Sequence, residues 1–253
     1  NTVPYFYPQE LSINYEKIHS LAGVSNSQTV FCNENGYYSV TNSDKYGFNN
    51  PAKEWDSDEF EFVFVGDSMT HGYCVNRPND IPSVVRELSG KSTLNLGYGR
   101  NGPLIEYATL REYLPKKTKN IVFMFYAGND LENLESELKN KILKNYKNDL
   151  EFNQNLKDKQ NEIDKQIKKF ILARLKGTEF KYQFIKFRRF REAFQDIINK
   201  QKKIKINHEV ELKELEKILF LTKKLSIENK SKLHFVYLSA ERYWGNENRQ
   251  KDD

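Results

Sequence analysis

Apolar positions along this chain change their period twice, and the changes divide it into three parts. Over residues 1–60 short apolar runs, at 3–7 and 37–40, are separated by Asn, Ser and Pro, which predicts an irregular lead-in packed on the core. From residue 61 continuous apolar runs alternate with stretches of helical period. Runs at 61–65, 93–96, 121–126 and 233–238 lack polar alternation, as strands of a parallel sheet do when both faces are covered. Between the first two, a helix over 81–88 is stopped by Gly90, a residue suited to a helix C-cap. Between the second and third, Pro103 opens a helix that runs to Tyr113, because the first helical position needs no N–H donor. This order of signals predicts βαβ units and an α/β core made of residues 61–130 and 232–253.

The third part is 131–231, about a hundred residues where a parallel crossover needs only a dozen or more. Its apolar positions keep helical spacing, at Leu134, Leu138 and Ile142 and again at Ile163, Ile167, Ile171 and Leu175. Asp164, Lys165 and Lys168 fall on the polar side of the second set, which predicts a solvated helix face in a charged helical insertion. A last amphipathic helix, Glu209–Glu228, leads back to the fourth strand. Within the insertion, Phe180, Phe184, Phe187, Phe190 and Phe194 form one helical stripe among Lys181, Lys186, Arg188, Arg189 and Arg191. Such a stripe packs an arm on the domain, or docks on an anionic membrane surface or a protein partner. No recognised module frames these cations, so a nucleic-acid partner is not expected.

Composition narrows the picture further. The 253 residues are 38% hydrophobic and 30% charged, polar enough that one segment is expected to be largely solvated. A net charge of +5 is below what a dedicated nucleic-acid domain carries. Cys32 and Cys74 lack metal-knuckle spacing, which argues against a zinc site and a disulfide framework and leaves a single bridge open. No stretch approaches the roughly 20 apolar residues of a membrane span. A start at Asn1 suggests a processed or excised piece, and the aromatic lead-in is compatible with the bacterial periplasm or cell envelope, which is preferred to a cytoplasmic location that stays open.

Three of the apolar runs end in small polar turns. Residues 62–72 read Phe-Val-Phe-Val-Gly-Asp-Ser-Met-Thr-His-Gly, a buried strand delivering the hydroxyl of Ser68. Residues 93–103 end a second strand in a glycine-rich turn that enters a helix, and 123–130 end a third in Asn129-Asp130. Parallel strands place all three turns on one sheet edge, where ligands bind in open α/β folds. Acyl transfer needs this convergence: a hydroxyl to attack a carbonyl and donors to meet the oxyanion that forms.

Gly66-Asp67-Ser68, the Asn-x-Gly turn from Asn95 and Asn129-Asp130 together resemble the first three blocks of the SGNH (GDSL-like) hydrolases. The match covers about residues 60–130 plus the strand near 235. The resemblance implies a three-layer α/β/α sandwich with a flavodoxin-like parallel sheet, and hydrolysis or transfer of an ester-linked acyl group with neither metal nor organic cofactor. It implies Ser68 as nucleophile, whose own backbone N–H donates to the oxyanion, and Asn129 as the side-chain oxyanion donor. The family's second block places a glycine five positions after Asn95, where this chain has Arg100; the Arg100 N–H would serve there, or Gly102 or Gly99 after a local shift. Ala127 stands where the third block has glycine.

The family's Asp-x-x-His block has no counterpart. His19, His71, His208 and His234 are the histidines, and none follows an Asp by three positions, so the triad His and Asp are absent. The expectation is truncation before a fifth strand, the triad turn and a closing helix. His71 is expected to point along its loop and His234 to be a paired histidine of the sheet. Read alone, Ser68 and Asp130 are ordinary helix caps and Asp67 buttresses the turn; the three turns together favour the nucleophile. The functions expected are thus a serine esterase on a small-molecule or saccharide ester, an O-acyltransferase on a sugar or envelope polymer, or a binding domain that keeps the turn without turnover.

Overall fold

A computed structural model describes residues 2–33, 36–179 and 208–240, without the side chains of Phe31 and of 175–179. The lead-in is more regular than its composition suggests. It holds five strands: β1 (Thr2–Pro4), β2 (Glu10–Ile13), β3 (Glu16–His19), β4 (Gln28–Cys32) and β5 (Ser39–Asn42). β2 and β3 form a hairpin through Asn14 and Tyr15, both in the left-handed region (φ 48° and 69°), as a two-residue turn matched to strand twist requires. β1 runs parallel to β4 and β5 antiparallel to it. These pairings join residues far apart in the chain, such as Thr2 and Gln28, so local pattern does not reveal them. A Cys32–Cys74 disulfide ties β4 to the segment after Ser68.

The core is a four-stranded parallel sheet of β6 (Phe60–Gly66), β7 (Thr93–Asn95), β8 (Thr118–Tyr126) and β9 (Lys232–Leu238), in the order β7-β6-β8-β9. Each lies within a residue or three of its predicted run. Around it stand α1 (Ser68–His71), α2 (Ile81–Ser89), α3 (Pro103–Tyr113), α4 (Asp130–Glu137), α5 (Lys141–Asn148), α6 (Gln160–Glu179) and α7 (Glu209–Glu228). α2 starts at Asp80, whose carboxylate accepts from the Ser83 N–H, and stops at Gly90 in the left-handed region (φ 63°).

Alternate positions of β6 and β8, Val63, Val65, Ile121 and Phe123, share one buried cluster with Leu94 of β7, Leu104 and Tyr107 of α3 and Ile218 of α7. Even-numbered positions, Phe64, Val122 and Met124, face Val85 of α2 in a smaller cluster. The larger cluster also takes in Phe6, Leu11, Ile18 and Phe48 of the lead-in.

The described residues of 131–231 are not a set of solvated arms. Leu134, Leu143, Tyr146, Ile163, Ile167, Ile171 and Leu215 are buried in the main cluster, each side chain contributing roughly 1.5–3 kcal/mol. The predicted run through Leu134, Leu138 and Ile142 is two helices, because Asn140 accepts from the Ile142 and Leu143 N–H groups and starts a new one. Asp164 is buried, against expectation: it accepts from the Ser25 N–H (3.0 Å) and hydroxyl (2.5 Å) and so joins α6 to the lead-in. Lys165 and Lys168 are exposed as predicted. The stripe from Phe180 to Phe194, the Leu175 side chain and the last thirteen positions, 241–253, lie outside the described residues.

Candidate active site

β6 lies between β7 and β8, so the turn after it is flanked by the turns after its neighbours. Gly66 ends β6 where a Cβ would meet the Met124 carbonyl at 2.9 Å, so only glycine fits between the strands there. Asp67 then caps α1, accepting from the Met69 N–H at 2.9 Å, and Ser68 occupies the first helical position. The second turn is fastened to the first: the Tyr98 N–H donates to the Gly66 carbonyl (3.1 Å) and the Asn95 amide to the Thr70 carbonyl (2.9 Å). Asn95 Oδ1 accepts from the Gly97 N–H and sets the turn itself.

Ser68 is half-buried, and its hydroxyl donates to Asp67 Oδ2 at 3.0 Å. The Asn129 side-chain amide donates to the same carboxylate. Asp67 is 1% exposed; burial raises its pKa above the ordinary carboxylate value, against the lowering effect of these donors. Ser68 and Asn129, from adjacent strand ends, are thereby held by one buried group. An amide NH2 carries two donors, so Asn129 has one to offer besides the one on Asp67.

Arg100 adopts φ 69°, the conformation for which the family pattern has glycine. Its N–H has no hydrogen-bond partner among the described residues, and its guanidinium lies 3.9 Å from the centre of the Tyr7 ring. Gly99 donates instead to the Tyr5 hydroxyl at 3.0 Å. Gly102 is ruled out as the alternative oxyanion donor, because its N–H is bound to Glu137 Oε1 at 2.5 Å.

Glu137 also accepts from the Leu104 (3.0 Å) and Ile105 (3.3 Å) N–H groups, so a carboxylate from α4 caps α3, whose own cap residue, Gly102, has no side chain. Glu137→Ala leaves three buried donors unpaired at roughly 1–3 kcal/mol each. A loss of about 3 kcal/mol in urea unfolding is the expected result.

The histidines are engaged elsewhere. His71 stacks on Tyr98 at 4.8 Å, with Nδ1 3.4 Å from the Tyr5 hydroxyl, and burial pushes its pKa down to about 3. His19 is buried against the Ser20 carbonyl, its pKa lowered to about 4 by that burial. His208 lies 3.7 Å from Glu211, and His234 on β9 pairs with Asn120 at 3.0 Å. The acceptor that the Ser68 hydroxyl has is Asp67.

Sequence reading missed the supports. From the lead-in, Asn50 accepts from the Asn95 N–H and donates to the Asn95 carbonyl, both at 2.8 Å, while Asn49 donates to the His71 carbonyl at 2.8 Å. Asp44 accepts from Asn50 and Trp55 and anchors that pair. It also missed Glu106, fully buried on α3 with neither oxygen hydrogen-bonded among the described residues. Burial first, then the charges of Asp130, Asp67 and Glu137, raises the Glu106 pKa well above 4.5, which favours its neutral form. Asp130 is raised for the same reasons, while Glu137, with three amide donors opposing its burial, reaches about 7. The available signal was an acid at position 106 inside the apolar run Leu104-Ile105-Glu106-Tyr107-Ala108.

Comparison with family models, with curated proteins and with solved structures finds no match for this chain.

Proposed function

We propose that this protein is a serine-dependent ester hydrolase acting through an acyl-enzyme, on a flavodoxin-like three-layer fold of the SGNH type. One observation carries the reading: Ser68 and Asn129, from neighbouring strand ends, share the Asp67 carboxylate, beside a turn whose Arg100 N–H has no hydrogen-bond partner among the described residues. In the proposed reaction Ser68 Oγ attacks the ester carbonyl and its proton passes to a base. The carbonyl oxygen becomes an oxyanion met by the Asn129 amide and the Ser68 and Arg100 N–H groups. Collapse expels the alcohol, and water releases the acyl group from Ser68; an acceptor hydroxyl in place of water gives transfer.

The base in this scheme is an imidazole other than those of His19, His71 and His234, whose rings are engaged, and of His208, which lies beside Glu211. The same fact, with the Ser68 hydroxyl resting on Asp67, favours as second reading a binding domain that keeps the turn without turnover. Acetyl trapping separates the two. Incubation with an aryl acetate and free imidazole, followed by peptide mass spectrometry, is expected to place acetyl on Ser68; an unmodified Ser68 establishes the binding domain. Asn129→Ala is expected to slow this acetylation by about 10²–10³-fold, the cost of one oxyanion donor.

A further inference from the structure

The Arg100 turn also borders an open cavity of about 950 Å³, lined by the lead-in, α3, α4, α5 and α6. Tyr7 and Phe170 give its wall aromatic faces, each about two-fifths exposed, and Arg100 and Arg174 bring two exposed cations. Asn140 spends its carbonyl oxygen on capping α5, which leaves its NH2 group without a partner among the described residues. Glu137 is the acid of the lining, and its oxygens are occupied by three N–H groups.

Arg100 holds a conformation that costs a residue other than glycine about 1–2 kcal/mol, and the return is a guanidinium laid over Tyr7 at the cavity wall. Flat aromatic surface suits the apolar faces of sugar rings, amide donors suit hydroxyls, and guanidinium groups suit carboxylates in bidentate pairing. A purely apolar acyl chain would leave both cations without a counter-charge.

We propose that this cavity binds a carboxylate-bearing oligosaccharide, with Arg100 and Arg174 on its acid groups and Tyr7 and Phe170 against its rings. The inference rests on the esterase reading to the extent that it makes the cavity the binding cleft of the ester substrate.

Isothermal titration of the Ser68→Ala chain with hexagalacturonate, maltohexaose and poly-L-glutamate tests it. Saturable one-site binding of hexagalacturonate, at least tenfold tighter than either control, is expected. Arg174→Gln and Arg100→Gln should each weaken it about tenfold with an unchanged circular dichroism spectrum. Equal binding of maltohexaose, equal binding of polyglutamate, undiminished binding in both variants, or no binding at all overturns the proposal. Failure of the two readings is distinguishable: absent acetylation of Ser68 with intact hexagalacturonate binding removes the esterase, and the converse removes the cleft ligand.

Discussion

Ser68→Ala is expected to reduce aryl acetate hydrolysis in the presence of free imidazole to the rate that imidazole gives alone. Complete serine enzymes lose on the order of 10⁶ in turnover when the nucleophile is removed. A positioned general base accounts for roughly 10²–10⁴ of such a rate, and here the base diffuses in. The difference leaves a ratio on the order of 10² between the parent chain and the variant, after the imidazole background is subtracted. Access supports the experiment, since Ser68 is half-buried and its neighbours Met69 and Tyr73 are 44% and 38% exposed. The alanine variant keeps the cap at Asp67, which still accepts from the Met69 N–H, so the fold is expected to survive. Equal rates in parent and variant would remove Ser68 from the reaction.

Glu106→Gln is expected to stabilise the protein, by an amount that grows with pH. In the folded chain this carboxyl is buried without a donor and beside three other acids, which raises its pKa well above 4.5. The unfolded chain gives up the proton near its ordinary value, so above that pH the folded state binds more protons than the unfolded one. Stability from this group is therefore fully present below pH 4.5 and is lost as pH rises toward the folded pKa, at up to about 1.4 kcal/mol per pH unit. Glutamine cannot ionise and keeps nearly the same shape. Urea unfolding is expected to show the variant equal to the parent near pH 4.5 and increasingly more stable than the parent as the pH is raised toward 8. A difference that stays constant over that range would show that Glu106 is ionised in the folded protein or paired with a donor.

The readable part of the site is the part built from neighbours in the chain. Gly66-Asp67-Ser68 announces a strand, a tight turn and a cap within three residues, and Gly90 and Pro103 mark helix ends by their own backbone preferences. Arg100 was legible as a residue where the family resemblance implies glycine, and it adopts the left-handed conformation, φ 69°. Gly102 failed as a candidate because its fate depended on Glu137, 35 residues away, whose carboxylate takes the N–H. Asp164 was misread for the same reason: helical period placed it on a polar face, and Ser25, 139 residues distant, turned that position into a buried pair.

The sequence by itself thus determined the four strands of the parallel sheet, the helix ends at Gly90 and Pro103, and the three polar turns, because each follows from short-range sterics and from the apolar period that burial selects. Only the tertiary structure decided that Asn50 and Tyr5 of the lead-in would support the second turn across 45 and 94 residues, and that burial would raise the Glu106 pKa. It also decided that Ser68 would rest on Asp67 while His71 turned to Tyr98. Hydrogen-bond partners and desolvation depend on which distant segments close over a residue, and a local pattern carries no measure of that closure.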